Sequence, residues 1–302
     1  MNHNVTVGVD GTRESVAAAD WAAREALSRD VPLQLLQVRE TGAYPYSPII
    51  DDEVEREWAR KVTREAAEEL TRRHPGLRTT VEMVSGRPAH VFADISSQTD
   101  LLVLGSRGLS SVLGFFVGSS ALTIVGHAAC PVVLVRAHSP DADDQAAVPG
   151  PDSGAQPRPP HDVVLGVDLD HSSDEVISFA FDAASRRSAT LRVLYAWGHL
   201  PATHGVRPVP VPPSLTSELL AEQSEAVRAV VQPWQQKFPD VTVEARAVIG
   251  HPAHLLVDAA SEASLLVIGR HARHAHAPAH IGPVAHAVMH HARTPVAVVP
   301  HS

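Results

Sequence analysis

The amino-acid sequence contains one pattern twice, and this repeat constrains the fold more than any other feature. The run Val7-Gly8-Val9-Asp10 recurs as Leu165-Gly166-Val167-Asp168, at an offset of 158 residues. Four later matches, among them Gly118 with Gly282, share one constant offset of 164 residues. A fixed offset over the last half of each copy indicates a tandem duplication, with a small insertion in the middle of the second copy.

The stretch between the two copies has a different composition. Residues 138–161 are rich in proline and aspartate and carry almost no large apolar side chain, so they cannot form a core. We therefore divide the chain of 302 residues into domain 1 (residues 1–137), a linker (residues 138–161) and domain 2 (residues 162–302). Each domain has the usual size of a single folding unit.

Short apolar runs alternate with helix-favouring segments in each copy, which predicts an α/β fold. In domain 1 the predicted order is βαβ, a loop, and then αβαβαβ. Near-continuous apolar strands between helices indicate a parallel sheet with helices on both faces, so we predict two tandem doubly wound domains. The first helix is predicted to carry an apolar stripe of Val16, Ala19, Ala23, Ala26 and Leu27.

The composition excludes several classes of protein. The formal net charge is −9 and aromatic residues make up 4% of the chain, so we expect no nucleic-acid partner and no attachment to membranes. No apolar run approaches the roughly 20 residues that span a bilayer, and the sequence does not begin with a secretory signal. Because Cys130 is the one cysteine, no intrachain disulfide can form. We expect a cytoplasmic protein.

The residues that follow the fourth predicted strand point to an anion. Gly105-Ser106-Arg107-Gly108 is followed by nine residues and then by Gly118-Ser119-Ser120, which opens a helix. Glycine allows backbone N–H groups to approach an anion, and a helix N-terminus with hydroxyl groups is a natural phosphate site. Arg107 can add a charge-assisted contact. The alternative is that these glycines only turn the chain and cap the helix.

The first predicted strand ends in Asp10, at the edge where ligands bind in doubly wound folds. Its carboxylate can accept a hydrogen bond from a ribose hydroxyl or help to hold a metal ion. Gly8 and Val9 precede it and belong to the same candidate site.

These residues give the chain a resemblance to the universal stress protein family. The family's ATP-binding pattern is Gly-x-x-Gly, nine residues, and then Gly followed by Ser or Thr, and domain 1 matches it in full. The first-strand signature also matches, as Val9-Asp10-Gly11-Thr12. The resemblance covers both copies. It implies a five-stranded parallel sheet in the order 3-2-1-4-5 and an ATP site between the ends of strands one and four.

The resemblance also assigns roles to residues of domain 1. It implies that the adenine lies near Val38, the ribose near Asp10 and Gly105, and the phosphates along Gly108, Gly118, Ser119 and Ser120. Mg²⁺ or Mn²⁺ is the candidate companion of ATP. The family commonly pairs its tandem domains through their last strands as an intrachain pseudo-dimer, and we also expect a homodimer and an unidentified regulatory protein partner. The implied function is that of a stress-response regulator whose conformation or assembly depends on ATP.

Domain 2 departs from the pattern. Asp168, Gly269 and Gly282 are kept and form a weaker second candidate site, but Ala272 stands where domain 1 has Gly108. Pro283 follows Gly282 and offers neither an N–H nor a hydroxyl. We therefore expect domain 1 to bind ATP well, and domain 2 to bind it weakly or not at all.

Two other functions stay open at this point. One is slow ATP hydrolysis or phosphorylation of Ser119 or Ser120, although the sequence has no P-loop and no nucleophile elbow, so we expect no efficient enzyme. The other is a metal-binding or pH-responsive site, because 14 of the 19 histidines lie from His161 onwards. Its candidate ligands lie in one loop and are His271, His274, His276 and His280. The alternative for that loop is a solvated segment of biased composition.

Overall fold

The fold was examined in a computed structural model, which describes residues 3–40, 52–106, 118–137, 162–197, 213–271 and 281–302. The elements of domain 1 are β1 (Val5–Gly8), α1 (Arg13–Arg29), β2 (Leu33–Arg39), α2 (Asp52–Arg73), β3 (Thr79–Ser85), α3 (Pro88–Ile95), β4 (Leu101–Ser106), α4 (Ser119–His127) and β5 (Val132–Arg136). Those of domain 2 are β6 (Val163–Gly166), α5 (Asp174–Arg187), β7 (Leu191–Trp197), α6 (Pro213–Lys237), β8 (Val243–Ile249), α7 (Pro252–Ala259), β9 (Leu265–His271), α8 (Pro283–His291) and β10 (Val296–His301).

The strands form one sheet in the order β3-β2-β1-β4-β5-β10-β9-β6-β7-β8. Read from its outer edge, each half has the order 3-2-1-4-5 with parallel neighbours, so the predicted fold class is confirmed. The halves meet where β5 pairs with β10 in antiparallel register, with Leu134 opposite Val296. This seam runs through the middle of the molecule and makes the sheet continuous across both domains.

The sheet is covered on both faces by helices. One layer of buried side chains joins the sheet to α1, α2, α5 and α6, and the other joins it to α3, α4, α7 and α8. Because both faces are covered, the central strands are largely apolar, as in β5, where all five residues are buried and the first four are apolar. None of the described helices is long and apolar enough to cross a membrane.

The predicted apolar stripe of α1 is wrong at both of its ends. Val16 is 48% exposed and Leu27 is 38% exposed, whereas the buried face consists mainly of alanines, including Ala19, Ala23 and Ala26. The reason is that α1 packs closely on β4, where small side chains fit and larger ones do not. Apart from Trp21, which is also buried, the helix therefore packs by close approach of its backbone to the sheet.

Arginines from each domain bind the ends of helices in the other. The guanidinium of Arg270 on β9 donates to the carbonyl oxygens of Gly126 and Ala128 at the end of α4, at 3.0 and 2.6 Å. In the opposite direction, Arg136 on β5 donates to the carbonyl oxygen of Met289 in α8. Cations at helix C-termini are favourable because the helix dipole is negative there. Both arginines are buried, so the contacts are part of the interior between the domains.

Candidate functional site

The carboxyl ends of β1, β2 and β4 lie side by side in domain 1. β1 is hydrogen-bonded to both neighbours, with Gly8 beside Leu36 and Val7 beside Val103. The structure therefore brings the residues after β1 to the same edge as the end of β4. The predicted site residues gathered at this edge are Gly8, Val9, Asp10, Val38, Gly105 and Ser106.

Asp10 lies in the turn between β1 and α1, and its side chain is exposed. One carboxylate oxygen accepts hydrogen bonds from the backbone N–H of Thr12 at 3.0 Å and from the Thr12 hydroxyl at 2.6 Å. The Thr12 hydroxyl oxygen in turn accepts from the N–H of Ser15 and caps α1. The carboxylate is thus held in one orientation at the edge of the sheet.

Two of the predicted site glycines have a packing role. A Cβ atom on Gly105 would lie 2.6 Å from the backbone carbonyl of Glu14, so only glycine allows α1 to lie this close to β4. A Cβ atom on Gly8 would lie 2.8 Å from the ring of Phe92 in α3. We expected the glycine after β4 to let an anion approach the backbone, but what approaches Gly105 is the first turn of α1.

The N-terminus of α4 has the properties expected of an anion site. Its N-cap is Gly118, and among the described residues no side chain caps this helix start and no atom lies within 4 Å of the position of a Gly118 Cβ. Ser119 and Ser120 follow, both exposed, and the first turn has no acidic residue. The N–H groups of a first helical turn have no partners within the helix and lie at the positive end of its dipole.

Ser106 adds a second polar group at the end of β4. It is buried, and its hydroxyl has no hydrogen-bond partner among the described residues. Buried polar atoms are nearly always paired in native proteins, so an unpaired hydroxyl at this edge fits a polar ligand. Arg107 and Gly108, which follow it and belong to the predicted site, lie outside the described residues.

Domain 2 has a cavity of about 710 Å³ at the corresponding edge of its sheet. It is lined by the ends of β6, β7 and β9 and by the start of α8. Asp168, Gly269 and Gly282, the three residues of the weaker predicted site, all line this one cavity. Pro283 occupies the first turn of α8, so this helix start presents fewer N–H groups than the start of α4.

Three histidines line the same cavity. The ring of His271 lies 4.2 Å from that of His301 and 5.1 Å from that of His171, measured between centroids. Our reasoning from the sequence singled out His271 but missed His171 and His301. His301 ends the last strand at the position where domain 1 has Ala137, and this difference between the two copies could have pointed to it.

The comparisons with known proteins decide the family. The model of the universal stress protein family matches residues 1–136 and again residues 160–300. The chain belongs to the universal stress protein family.

Relatives of similar length support the assignment of this universal stress protein. It is 32% identical over 303 residues to a universal stress protein of Mycobacterium tuberculosis, covering 98% of this chain and 96% of the relative. It is 34% identical over 316 residues to one of Mycolicibacterium smegmatis, covering 98% and 97%. Among solved structures, a universal stress protein from Archaeoglobus fulgidus superposes with a TM-score of 0.67 at 14% identity, covering 99% of this chain and 98% of that one. This last likeness shows the fold.

The described part of this universal stress protein contains neither a reactive thiol nor a metal-binding cluster. Burial raises the pKa of the Cys130 thiol to about 12, so this side chain is a weak nucleophile near neutral pH. The described residues include no group of three or more histidine, cysteine, aspartate or glutamate side chains placed to hold a metal ion. His274, His276 and His280, three of the four candidate ligands, lie outside the described residues.

Proposed function

We propose that this universal stress protein is a stress-response regulator that binds ATP in domain 1, and that occupancy of the site modulates its conformation or assembly. The N-terminus of α4, which no side chain of the described residues caps, carries the proposal. It presents Gly118, Ser119 and Ser120 to solvent, with no acidic residue in the first turn.

The neighbouring groups suit the remaining parts of ATP. The fixed carboxylate of Asp10 is an acceptor for the ribose hydroxyls or a ligand for an accompanying Mg²⁺ or Mn²⁺ ion. The hydroxyl of Ser106, which has no partner among the described residues, adds a donor and an acceptor. Val38 is half-buried near the end of β2, where an adenine ring would find an apolar surface.

The contacts of α4 support a regulatory role. Phosphates would bind at the start of this helix, and Arg270 of domain 2 donates to the carbonyl oxygens of Gly126 and Ala128 at its end. A movement of α4 on binding would therefore be transmitted to the other domain. We also propose that the pairing of β5 with β10 acts as the intrachain pseudo-dimer contact, and that two chains form a homodimer that engages a regulatory partner protein.

Calorimetric titration of the whole chain with ATP and Mg²⁺ tests the proposal. The two domains offer a matched pair of variants, Asp10→Asn and Asp168→Asn, because the two aspartates occupy equivalent positions. We expect one site in the unaltered protein, and an affinity that falls by about tenfold or more in Asp10→Asn because the acceptor oxygen loses its negative charge. Asp168→Asn should change it by less than about twofold.

Two outcomes would refute the proposal. One is the absence of ATP binding, and the other is two sites of equal affinity that respond alike to the two substitutions. A Ser119→Ala, Ser120→Ala double variant provides an independent check, since it removes two hydroxyls while keeping the helix start in place. A loss of affinity there together with an unchanged Asp10→Asn protein would move the nucleotide away from the end of β1.

A further inference from the structure

The cavity of domain 2 differs in chemistry from the corresponding part of domain 1. Residues of the two copies can be matched through the offsets of the repeat, and the matches show that polar side chains have been replaced. Four lining positions that are polar in domain 1 are apolar or aromatic in domain 2: Tyr195 for Gln37, Trp197 for Arg39, Pro283 for Ser119 and Val284 for Ser120. The cavity therefore offers aromatic and aliphatic surface where domain 1 offers hydrogen-bonding groups.

The backbone has changed as well. Both first helices end at a left-handed residue, Asp30 (φ 51°) and Ser188 (φ 49°), at the offset of 158 residues. The same offset applied to Arg13, the first residue of α1, predicts that α5 begins at His171, but α5 begins at Asp174. The first turn of the helix is thus replaced by a loop, which leaves space over β9.

A histidine lies in the space that this loop opens. In domain 1 the backbone of α1 lies against Gly105. In domain 2 the side chain of His301 lies against the matching Gly269, and a Cβ atom on Gly269 would be 2.9 Å from Nε2 of His301. The His301 side chain is buried. Together with His171 and His271 it forms a row of imidazoles along the cavity. Because a neutral imidazole has one donor and one acceptor nitrogen, this row can pair with a polar edge of an uncharged ligand.

The charges around the cavity do not favour an anion. Burial and the neighbouring His271 lower the pKa of His301, so this imidazole is neutral near pH 7. Arg270 is the one arginine or lysine among the described lining residues, and its two terminal nitrogens donate to backbone carbonyls of domain 1. Asp168 lines the cavity, accepts from His171 at 3.3 Å and adds a negative charge, and Glu175 lies close enough to His301 to act on it.

We propose that this cavity binds an uncharged, planar aromatic compound with hydrogen-bonding groups along one edge, and that it excludes nucleoside triphosphates. Its volume of about 710 Å³ suits a ligand of two or three fused or linked rings. Trp197 and Tyr195 supply aromatic surface, and the row of imidazoles supplies the polar partners. The site is independent of the nucleotide site proposed for domain 1.

A pair of fluorescent probes tests the ligand class directly. N-phenyl-1-naphthylamine is uncharged, whereas 1-anilinonaphthalene-8-sulfonate has the same rings and one negative charge. With the whole chain at pH 7.5 and excess ATP and Mg²⁺ present, we expect one equivalent of the uncharged probe to bind at least about tenfold more tightly than the sulfonate. Equal binding of the two probes, or weaker binding of the uncharged probe with ATP present than without it, would overturn the proposal.

Variants locate the bound probe. Trp197→Ala should weaken binding of the uncharged probe by roughly fivefold or more because an aromatic contact is lost, and its matched control in domain 1, Arg39→Ala, should leave it unchanged. His271→Ala should weaken it by roughly threefold or more, and because this side chain is exposed the substitution leaves the core intact. Near-ultraviolet circular dichroism verifies folding. Binding that falls in Arg39→Ala but is unchanged in Trp197→Ala and His271→Ala would place the probe in domain 1 and contradict the proposal.

Discussion

Substitution of Gly105 by alanine should destabilise domain 1, and the second domain contains its own control. The added Cβ would lie 2.6 Å from the backbone carbonyl of Glu14 and 2.8 Å from the backbone nitrogen of Ser15. Backbone atoms cannot rotate away, so α1 must shift, and overpacking of this kind costs about 1–3 kcal/mol. In Gly269→Ala the contact is with Nε2 of His301 at 2.9 Å, a side-chain atom that can move, and we expect a cost below about 1 kcal/mol.

Urea denaturation followed by circular dichroism measures the difference. For a slope of about 2 kcal/mol/M, the Gly105→Ala midpoint should fall by about 0.5–1.5 M, while that of Gly269→Ala should change by less than about 0.5 M. Since both are glycine-to-alanine changes in a strand, the effect on the unfolded chain cancels between them. Equal shifts for the two variants would refute the argument, and so would a stabilised Gly105→Ala protein.

Three further outcomes follow from buried contacts. Glu25→Ala should lower the free energy of unfolding by about 3 kcal/mol in the same urea assay. The Glu25 carboxylate is only 3% exposed and accepts from Arg29 at 2.8 Å and, across the domain boundary, from Arg187 at 2.6 Å. Glu25→Gln is the isosteric control, and an unchanged midpoint in Glu25→Ala would contradict the prediction. Arg270→Met removes the hydrogen bonds that Arg270 donates to the end of α4. We expect the affinity for ATP, measured by calorimetry, to change several-fold, because coupling between two sites is typically about 1–3 kcal/mol. The Cys130 thiol, whose pKa burial raises to about 12, should not react with a thiol reagent at pH 8 until denaturant is added; rapid reaction of the native protein would show that it is accessible.

Sequence patterns predicted the fold well, because the alternation of apolar runs and helices is a property of neighbouring residues and the repeat shows the same alternation in both copies. The same is true of the helix start at Gly118, whose small and hydroxyl-bearing residues are adjacent in the chain. The exposure of Val16 could not be predicted in this way, since helical spacing does not report how closely a helix approaches a sheet. That distance is set by Gly105, which lies about ninety residues further along the chain.

The candidate sites show the same limit. Asp168, Gly269 and Gly282 could be picked out because each has a counterpart in domain 1. The grouping of His171 with His301 could not be predicted, because the two residues are 130 positions apart in the sequence and each meets the ring of His271 only in the folded domain. The excess of histidine residues in domain 2 indicates that its chemistry differs from that of domain 1. The sequence does not show which of these imidazole rings are in contact, because the contacts depend on how the strands and loops pack.

The antiparallel seam between β5 and β10 has a consequence for how the two domains can exist. Both strands are apolar and buried almost throughout, and each would be the unpaired edge of its sheet if the domains were separated. An exposed apolar edge recruits other strands and leads to aggregation. A single domain released by cleavage of the linker and dissociation would therefore have to find another copy of itself or precipitate. Covalent linkage protects each half from that outcome by keeping a suitable neighbour at high local concentration.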